Sequence, residues 1–356
     1  MFILKIKCQR KTVKRESIDI YELYKGFTGR KILFIVVLLI VLPSMALVAI
    51  LQGPASIGIK DAIFSLFHSS TLAHTIIWYL RLPRIVMAIL VGIGLSFAGT
   101  VFQALLKNPL ASPYTLGIAS TAGFGAALGI VFNVGILSQY VIAGNAFLFA
   151  ILSSFIILGV AKWKSSTPET MILAGIAIMY LFSSLTSLIQ YQGSMEEVHE
   201  IVFWFFGSLS KVSWKEIAIA SFMIILPLPI LLKWSWDFNL LALGDESAKA
   251  LGVKVEKTRI IGILLASLIT SGAICFTGII GFIGLVSPHI ARMVMGGDHR
   301  FLLPASSLIG AILILMADTV SRTIWAPQVI PIGIVTSFIG VPFFFYLLIK
   351  RKREYW

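Results

Sequence analysis

The sequence predicts an all-α fold, a polytopic membrane protein with ten transmembrane helices. Of its 356 residues, 58% are hydrophobic and only 13% are charged, whereas a soluble domain has about 25% charged residues. A helix needs about 20 mostly apolar residues to cross a bilayer, and ten such runs follow one another along the chain. They leave no room for a soluble catalytic domain. The predicted spans are 32–51, 84–106, 114–133, 138–161, 171–191, 215–233, 260–277, 278–295, 302–321 and 331–349.

Lysine and arginine predict the orientation, because cytoplasmic loops carry them in excess. With the N-terminus inside, 23 of the 29 basic residues fall on the inner side of the membrane. Both termini are therefore predicted to be cytoplasmic, in a cell membrane. The same bias explains the net charge of +13 without any nucleic-acid partner.

The chain divides into a basic cytoplasmic extension, residues 1–31, and a permease-sized helical domain, residues 32–356. The extension lacks the pattern of a secretory signal. The two cysteines, Cys8 and Cys275, fall in different environments and have no histidine or cysteine at metal-ligand spacing, so neither a disulfide nor a metal site is expected.

Small residues predict where the helices pack closely, since they let backbones approach in lipid. Gly92, Ser96 and Thr100 recur four apart in the second span, and the third span contains Gly125 and Gly129. The later segment GIIGFIGLVSPHIAR, residues 278–292, predicts an irregular helix. Such backbone is tolerated where it lines a cavity or is covered by protein, so it is either a pathway wall or a kink needed for packing.

Charges within the spans are scarce and therefore informative. Asp318 and Arg322 are four residues apart, so they can neutralise each other on one helix face. No chain of Asp, Glu and His crosses the predicted bilayer, as an ion-coupled pump would need. The sequence also lacks the phosphate-binding loop GxxxxGK[ST] and any familiar catalytic motif, so we expect a transport subunit with no catalytic residue, not an enzyme.

Four ordered blocks carry a resemblance to a known family. They begin with RLPR and AGTVFQALLKNPLASPYTLG in residues 81–117 and continue with LLALGDESAKALGV, residues 240–253. The last two are GFIGLVSPHIARMVMGGDHRFLLP, residues 281–304, and DTVSRTIWAPQVIPIGIVTSFIGVPFFF, residues 318–345. The sequence closely resembles the FecCD family, the permease subunits of ABC importers for iron-siderophore, haem and cobalamin, and thus a cobalamin-permease-like fold.

The resemblance implies an assembly. Two ten-helix permeases surround a central pathway, two cytoplasmic ATPase subunits drive it, and an external substrate-binding protein delivers the cargo. The second permease is expected to be a copy of this chain, since symmetric homo-oligomers predominate. This subunit would bind no cofactor; ATP and Mg would be used by the ATPase.

The resemblance also assigns roles to residues at the two faces of the membrane. Arg81, Arg84 and Arg322 match the arginines that meet acidic residues of the binding protein, and arginine suits carboxylates well. The alternative is that Arg81 and Arg84 only anchor the span at the headgroups. Asn108, Pro109 and Leu110 match the family's cytoplasmic gate, where proline fixes the turn and Asn can bond its own backbone.

The longest cytoplasmic loop, residues 237–257, contains a segment that the resemblance identifies as the contact with the ATPase. Acids suit a helix N-terminus and glycine often follows a helix end, so GDESAKALGV predicts a short helix. An inert connection is the alternative. The expected coupling residues are Leu243, Gly244, Asp245, Glu246, Ser247, Ala248, Ala250, Leu251 and Gly252.

One departure from the family pattern concerns the cargo. Members commonly carry Glu two residues before the proline of the Pro-hydrophobic-Gly block, and this chain has Val329 there. Ferric siderophore is the first expectation for the cargo, followed by cobalamin, haem or an oxyanion such as molybdate. An ion-coupled secondary transporter and a non-transporting scaffold are the other functions considered.

Overall fold

The structure is a computed structural model that describes residues 20–53, 57–60, 64, 71–135, 139–164 and 167–350. Within this part of the chain all regular structure is helical. The helices, numbered in chain order, are α1 Ile20–Leu51, α2 Leu82–Leu105, α3 Ile118–Phe132, α4 Val141–Lys164, α5 Pro168–Gln192, α6 Met195–Phe206, α7 Trp214–Ile225, α8 Leu228–Lys233, α9 Ser235–Leu241, α10 Asp245–Ala250, α11 Val255–Thr277, α12 Ile283–Met295, α13 His299–Thr323 and α14 Ile332–Lys350. A short turn Leu72–Thr75 and a π-helix Ile76–Arg81 lead into α2.

Each predicted span coincides with a helix, but the count of ten membrane crossings is not confirmed. Among the residues that the structure describes, seven helical segments are long and apolar enough to cross a membrane, and three apolar stretches are shorter: α3 Ile118–Phe132, α12 Ile283–Met295 and Ile332–Tyr346 within α14. Irregular backbone shortens two of them, α3 and α12. The chain makes a non-helical turn before α3, and it leaves the helical conformation between α11 and α12.

Helix α2 lies at the centre of the bundle. Its apolar window is 83% buried, against 11% for α1, and it packs against α7, α11, α12 and α13. The predicted close-packing face is confirmed: a Cβ on Gly92 would lie 2.5 Å from the Cα of Ala311, and Thr100 Oγ1 lies 2.8 Å from Ser306 Oγ. Both partners belong to α13. Backbone contact of this kind replaces the hydrophobic effect as the force between helices in lipid.

A second glycine contact joins α2 to α12. A Cβ on Gly99 would lie 1.9 Å from the carbonyl oxygen of Gly284, so only glycine permits this approach. The predicted third-span face also packs closely, because a Cβ on Gly125 would meet the backbone of Asn145 in α4 at 2.5 Å. At these positions the helix backbones touch so closely that a larger side chain has no room.

Candidate functional site

A cavity of about 800 Å³ lies beside the middle of α2. Its walls come from Leu95 of α2, residues 112–114 before α3, the end of α6, residues 279–285 and one face of α14. Phe205, Phe206, Phe282 and Phe338 supply aromatic surface. Among the described residues that line this cavity, none has a charged side chain. The described lining therefore offers apolar and aromatic surface and no ion-pair partner for a ligand.

The break between α11 and α12 forms part of the cavity wall. Gly278 has φ +67° and Phe282 has φ +65°, so the helix stops at Thr277 and restarts at Ile283. The predicted irregularity of this segment is confirmed. A Cβ on Gly278 would lie 2.2 Å from the carbonyl oxygen of Trp204, which packs the break against α6. The position of residues 279–282 in the wall fits the pathway alternative, although the same segment also packs.

The three arginines predicted to meet a binding protein converge at one end of the bundle, here called the arginine end. Arg84 Nε lies 2.6 Å from Asp318 Oδ1, and Arg322 Nε lies 3.0 Å from Asp318 Oδ2. The pairing of Asp318 with Arg322 was predicted from their spacing. The contact of Arg84 with the same carboxylate was not predicted. Because Asp318 is fully buried, this carboxylate needs such partners.

Two of the three arginines, Arg81 and Arg322, also bind the end of α1. Arg81 donates to the carbonyl of Ile50, while Arg322 donates to the carbonyls of Gln52 at 3.1 Å and Ala49 at 3.3 Å. The last carbonyls of a helix have no partner within it and carry partial negative charge. All three arginines are more than nine-tenths buried in this chain. They therefore join α1, α2 and α13, and their contact with a binding protein stays a prediction.

The opposite end of α2 holds the other predicted residues and is called the loop end. Arg84 and Leu105 are separated by 21 residues of continuous helix, about 30 Å at 1.5 Å per residue. The Leu105 carbonyl accepts a hydrogen bond of 3.2 Å from Arg259 Nε, at the start of α11. Arg84 and the 237–257 loop thus lie at opposite ends of the bundle.

A tight turn, residues 106–110, follows α2 at the loop end and contains Asn108, Pro109 and Leu110. Asn108 Oδ1 accepts from the Leu110 amide at 2.9 Å, which confirms the local bond predicted for this asparagine. The Asn108 amide donates to Gln103 and the Lys107 amide to Ala104, a Schellman arrangement that satisfies the last carbonyls of α2. The role of this turn as a gate stays a prediction.

Lys107 occupies the left-handed position of that turn, with φ +49°. This position usually takes glycine, and a residue with a Cβ costs about 1 kcal/mol there. An ion pair offsets this backbone cost, because Lys107 Nζ lies 2.5 Å from Asp245 Oδ1.

The predicted short helix in the 237–257 loop is confirmed as α10, and Gly252 follows it with φ +92°. Its inner face holds Asp245 and the fully buried Ala248, while Glu246, Ser247 and Lys249 are exposed. Leu243 and Leu251, at its two ends, are exposed as well. A helix with this surface can contact a partner, and its coupling role stays a prediction.

The sequence did not predict the contacts of Asp245. One nitrogen of Arg259 lies 3.0 Å from both of its oxygens, and Lys107 binds one of them. Burial raises the pKa of this carboxyl, but the hydrogen bonds and charges of Lys107 and Arg259 outweigh burial and hold the pKa below its ordinary value. The only signal in the sequence was that an acid and two basic residues fall on the same predicted side.

A second polar group ties the beginning of the loop to α13. Asn239 donates to Asp298 at 3.0 Å, and its side-chain oxygen accepts from the His299 amide at 2.8 Å. Arg300 pairs with Asp298 at 2.6 Å and covers the Trp236 ring at 4.0 Å. Burial raises the pKa of Asp298, but the bonds from Arg300 and Asn239 lower it to about 2. Helix α9 is thereby held against the bundle.

Within the part of the chain that the structure describes, no group of three His, Cys, Asp or Glu side chains could hold a metal ion. Buried Cys275 is a free thiol.

Comparison with known proteins places these features in context. A sequence model described as the FecCD transport family matches residues 36–350. A protein of Methanocaldococcus jannaschii, MJ0087, provisionally described as an ABC transporter permease, is 45% identical over 94% of this chain and 99% of its own length. The hemin transport system permease protein HmuU of Yersinia pestis is 37% identical over 86% of this chain and 94% of its own.

A solved structure has the same fold with a TM-score of 0.81. It is 33% identical in sequence and covers 89% of this chain and 99% of the other. It is described as an inward-facing conformation of an ABC transporter provisionally assigned to the metal-chelate type.

Proposed function

This chain belongs to the FecCD transport family, and from that premise we propose that it is the permease subunit of an ATP-driven importer for a metal chelate. It is a transport subunit and not an enzyme. The observation that carries the proposal is the cavity of about 800 Å³, to which three of the four family motif blocks contribute lining residues, together with the end of α6. Its size suits a bulky cargo, and its walls suit passage.

The chemistry of the cavity supports a chelate in which organic groups shield the metal charge. An unshielded ion in an apolar cavity is unfavourable unless a side chain of opposite charge offsets it, and the described lining residues offer none. We therefore rank an iron-siderophore first, cobalamin and haem next, and a small oxyanion such as molybdate last. The hemin permease among the relatives makes haem a required test.

The proposed orientation puts the arginine end outside and the loop end in the cytoplasm, with both termini inside. A substrate-binding protein then meets the outer face near Arg81, Arg84 and Arg322. The ATPase meets α10, and the turn at Asn108 forms the inner gate. Two permeases of this sequence and two ATPase subunits complete the assembly.

Uptake into proteoliposomes tests the proposal. The permease is reconstituted with its ATPase, ATP–Mg is enclosed, and loaded binding protein with a radioactive iron-siderophore, cobalamin or haem is added outside. We expect uptake that requires all three components: binding protein, ATPase and ATP. Uptake driven by an ion gradient alone would instead identify a secondary transporter, and a membrane that accumulates no cargo would identify a scaffold.

A further inference from the structure

We propose that Lys107, Asp245 and Arg259 form a charged linkage that carries the movement of helix α10 to the turn at Asn108–Leu110. We call this group the Asp245 linkage. The proposal rests on the proposed function, because it assigns the path by which the ATPase contact would reach the gate. Lys107 and Arg259 are positioning residues in this scheme, since neither needs to touch cargo or nucleotide.

The linkage connects three elements through one carboxylate. Asp245 is the first residue of α10. Its Oδ1 lies 2.5 Å from the ammonium of Lys107, which directly precedes Asn108, and 3.0 Å from a guanidinium nitrogen of Arg259 in α11. A displacement of α10 therefore pulls on the turn and on α11 at the same time.

Arg259 makes the connection stiff. It is 2% exposed and donates through Nε to the carbonyl of Leu105, the last residue of α2. The planar guanidinium thus holds the end of α2 and the Asp245 carboxylate in a fixed relation. By contrast, the Asp245 and Lys107 side chains are about one-third exposed, so the carboxylate and ammonium can shift together when a partner moves α10.

The backbone at Lys107 provides an independent argument. Its φ of +49° is a conformation that glycine adopts freely and lysine does not. A residue chosen for the turn alone would be glycine or asparagine. The lysine is explained by its ammonium, which reaches Asp245.

The backbone at position 107 favours glycine, whereas the proposed linkage requires an ammonium there. The variant Lys107→Gly therefore distinguishes the two. The substitution relieves the backbone and removes the ammonium, so a structural role and a coupling role predict different results. The complete transporter in proteoliposomes is assayed for uptake and for ATP hydrolysis stimulated by loaded binding protein. Assembly is measured by co-purification of the ATPase. Asp245→Asn removes the same linkage from the other side, and Lys107→Arg keeps the positive charge.

We expect Lys107→Gly and Asp245→Asn to assemble normally and to lower the cargo moved per ATP by about tenfold, a coupling typical of linked sites. Lys107→Arg should recover most of that loss. The matched controls are Lys162→Gln at the end of α4 and Glu169→Gln at the start of α5, which change the same kinds of charge at exposed positions outside α10 and should transport like the parent protein.

The outcomes separate the two proposals. Failure of the parent complex to transport with ATP would overturn the proposed function, and the linkage with it. A parent that transports, together with a Lys107→Gly variant of equal efficiency, would overturn the linkage alone. Failure of Lys107→Gly to fold or assemble would show that the ammonium serves stability, and would also overturn it.

Discussion

Arg84 Nε and Asp318 Oδ1 lie 2.6 Å apart, although 234 positions separate these residues in the chain. The contact joins the start of the central helix α2 to the far end of α13, and Arg322 binds the second oxygen of the same carboxylate. The arginine end is therefore an ion-pair network inside the subunit, whatever it also contacts outside.

Asp318→Asn should destabilise the permease strongly. The substitution leaves two buried guanidinium groups without their carboxylate, and breaking a buried pair in this way costs about 3–5 kcal/mol. The apparent melting temperature in detergent measures the loss. Glu196→Gln, at an exposed position in the first turn of α6, is the control and should differ little from the parent. Equal melting of both variants would contradict the network.

Arg81 allows the contact with the binding protein to be separated from stability. If its charge attracts carboxylates, Arg81→Gln should weaken binding of the loaded binding protein about tenfold, which corresponds to one charge-assisted hydrogen bond of about 1.5 kcal/mol. Arg81→Lys should bind more tightly than Arg81→Gln. Surface plasmon resonance with the permease in nanodiscs gives the affinities, and parallel melting curves report folding. Unchanged affinity in both variants would show that Arg81 does not contribute to binding of the binding protein, and its bond to α1 would be its remaining role.

The contact between Gly99 and Gly284 predicts intolerance to a single methyl group. Gly99→Ala puts a Cβ 1.9 Å from a carbonyl oxygen, and we expect a loss of at least about 1–3 kcal/mol, the usual cost of overpacking. Gly159→Ala is the matched control, because a Cβ there meets nothing within 4 Å. In a helix interior that change should stabilise by about 0.5–1 kcal/mol. Melting temperatures that move in the same direction for both would refute the assigned packing.

The two exposed leucines around α10 predict where the ATPase binds. Leu243→Asp with Leu251→Asp should reduce co-purification of the ATPase about tenfold, since docking would bury two carboxylates that have no partner. The fold should persist, because both side chains are exposed in the isolated subunit.

Scrambling residues 244–252 should likewise allow insertion into the membrane while abolishing transport-coupled ATP hydrolysis. Retained coupling in the scrambled variant would refute the role of this segment.

The sequence predicted the helices well because lipid requires long apolar runs and because small residues mark close contacts. Gly92 and Thr100 therefore indicated a packing face, which the structure puts against α13. Spacing within one helix also predicted the pair Asp318–Arg322. The short helix α10 was predictable because Asp245, Glu246 and Gly252 carry local signals for its ends.

Contacts between distant segments could not be predicted in this way. The partners of Arg84 and Asp245 come from other helices, and periodicity within one helix contains no information about them. The lengths of α3 and α12 also escaped prediction. Hydropathy continues through residues 278–282 without interruption, whereas the backbone there leaves the helical conformation at Gly278 and Phe282.

Helix α2 is one uninterrupted helix with specific contacts at both ends. The number of residues between these contacts is therefore as important as their identity. Adding a single residue near its middle would advance the far end by 1.5 Å and rotate it by about 100°. Arg84 would keep its partner, but the Leu105 carbonyl would turn away from Arg259, and Gly99 would turn away from Gly284. The helix therefore tolerates substitutions that keep its register, whereas a change of register would break the contacts at one of its ends.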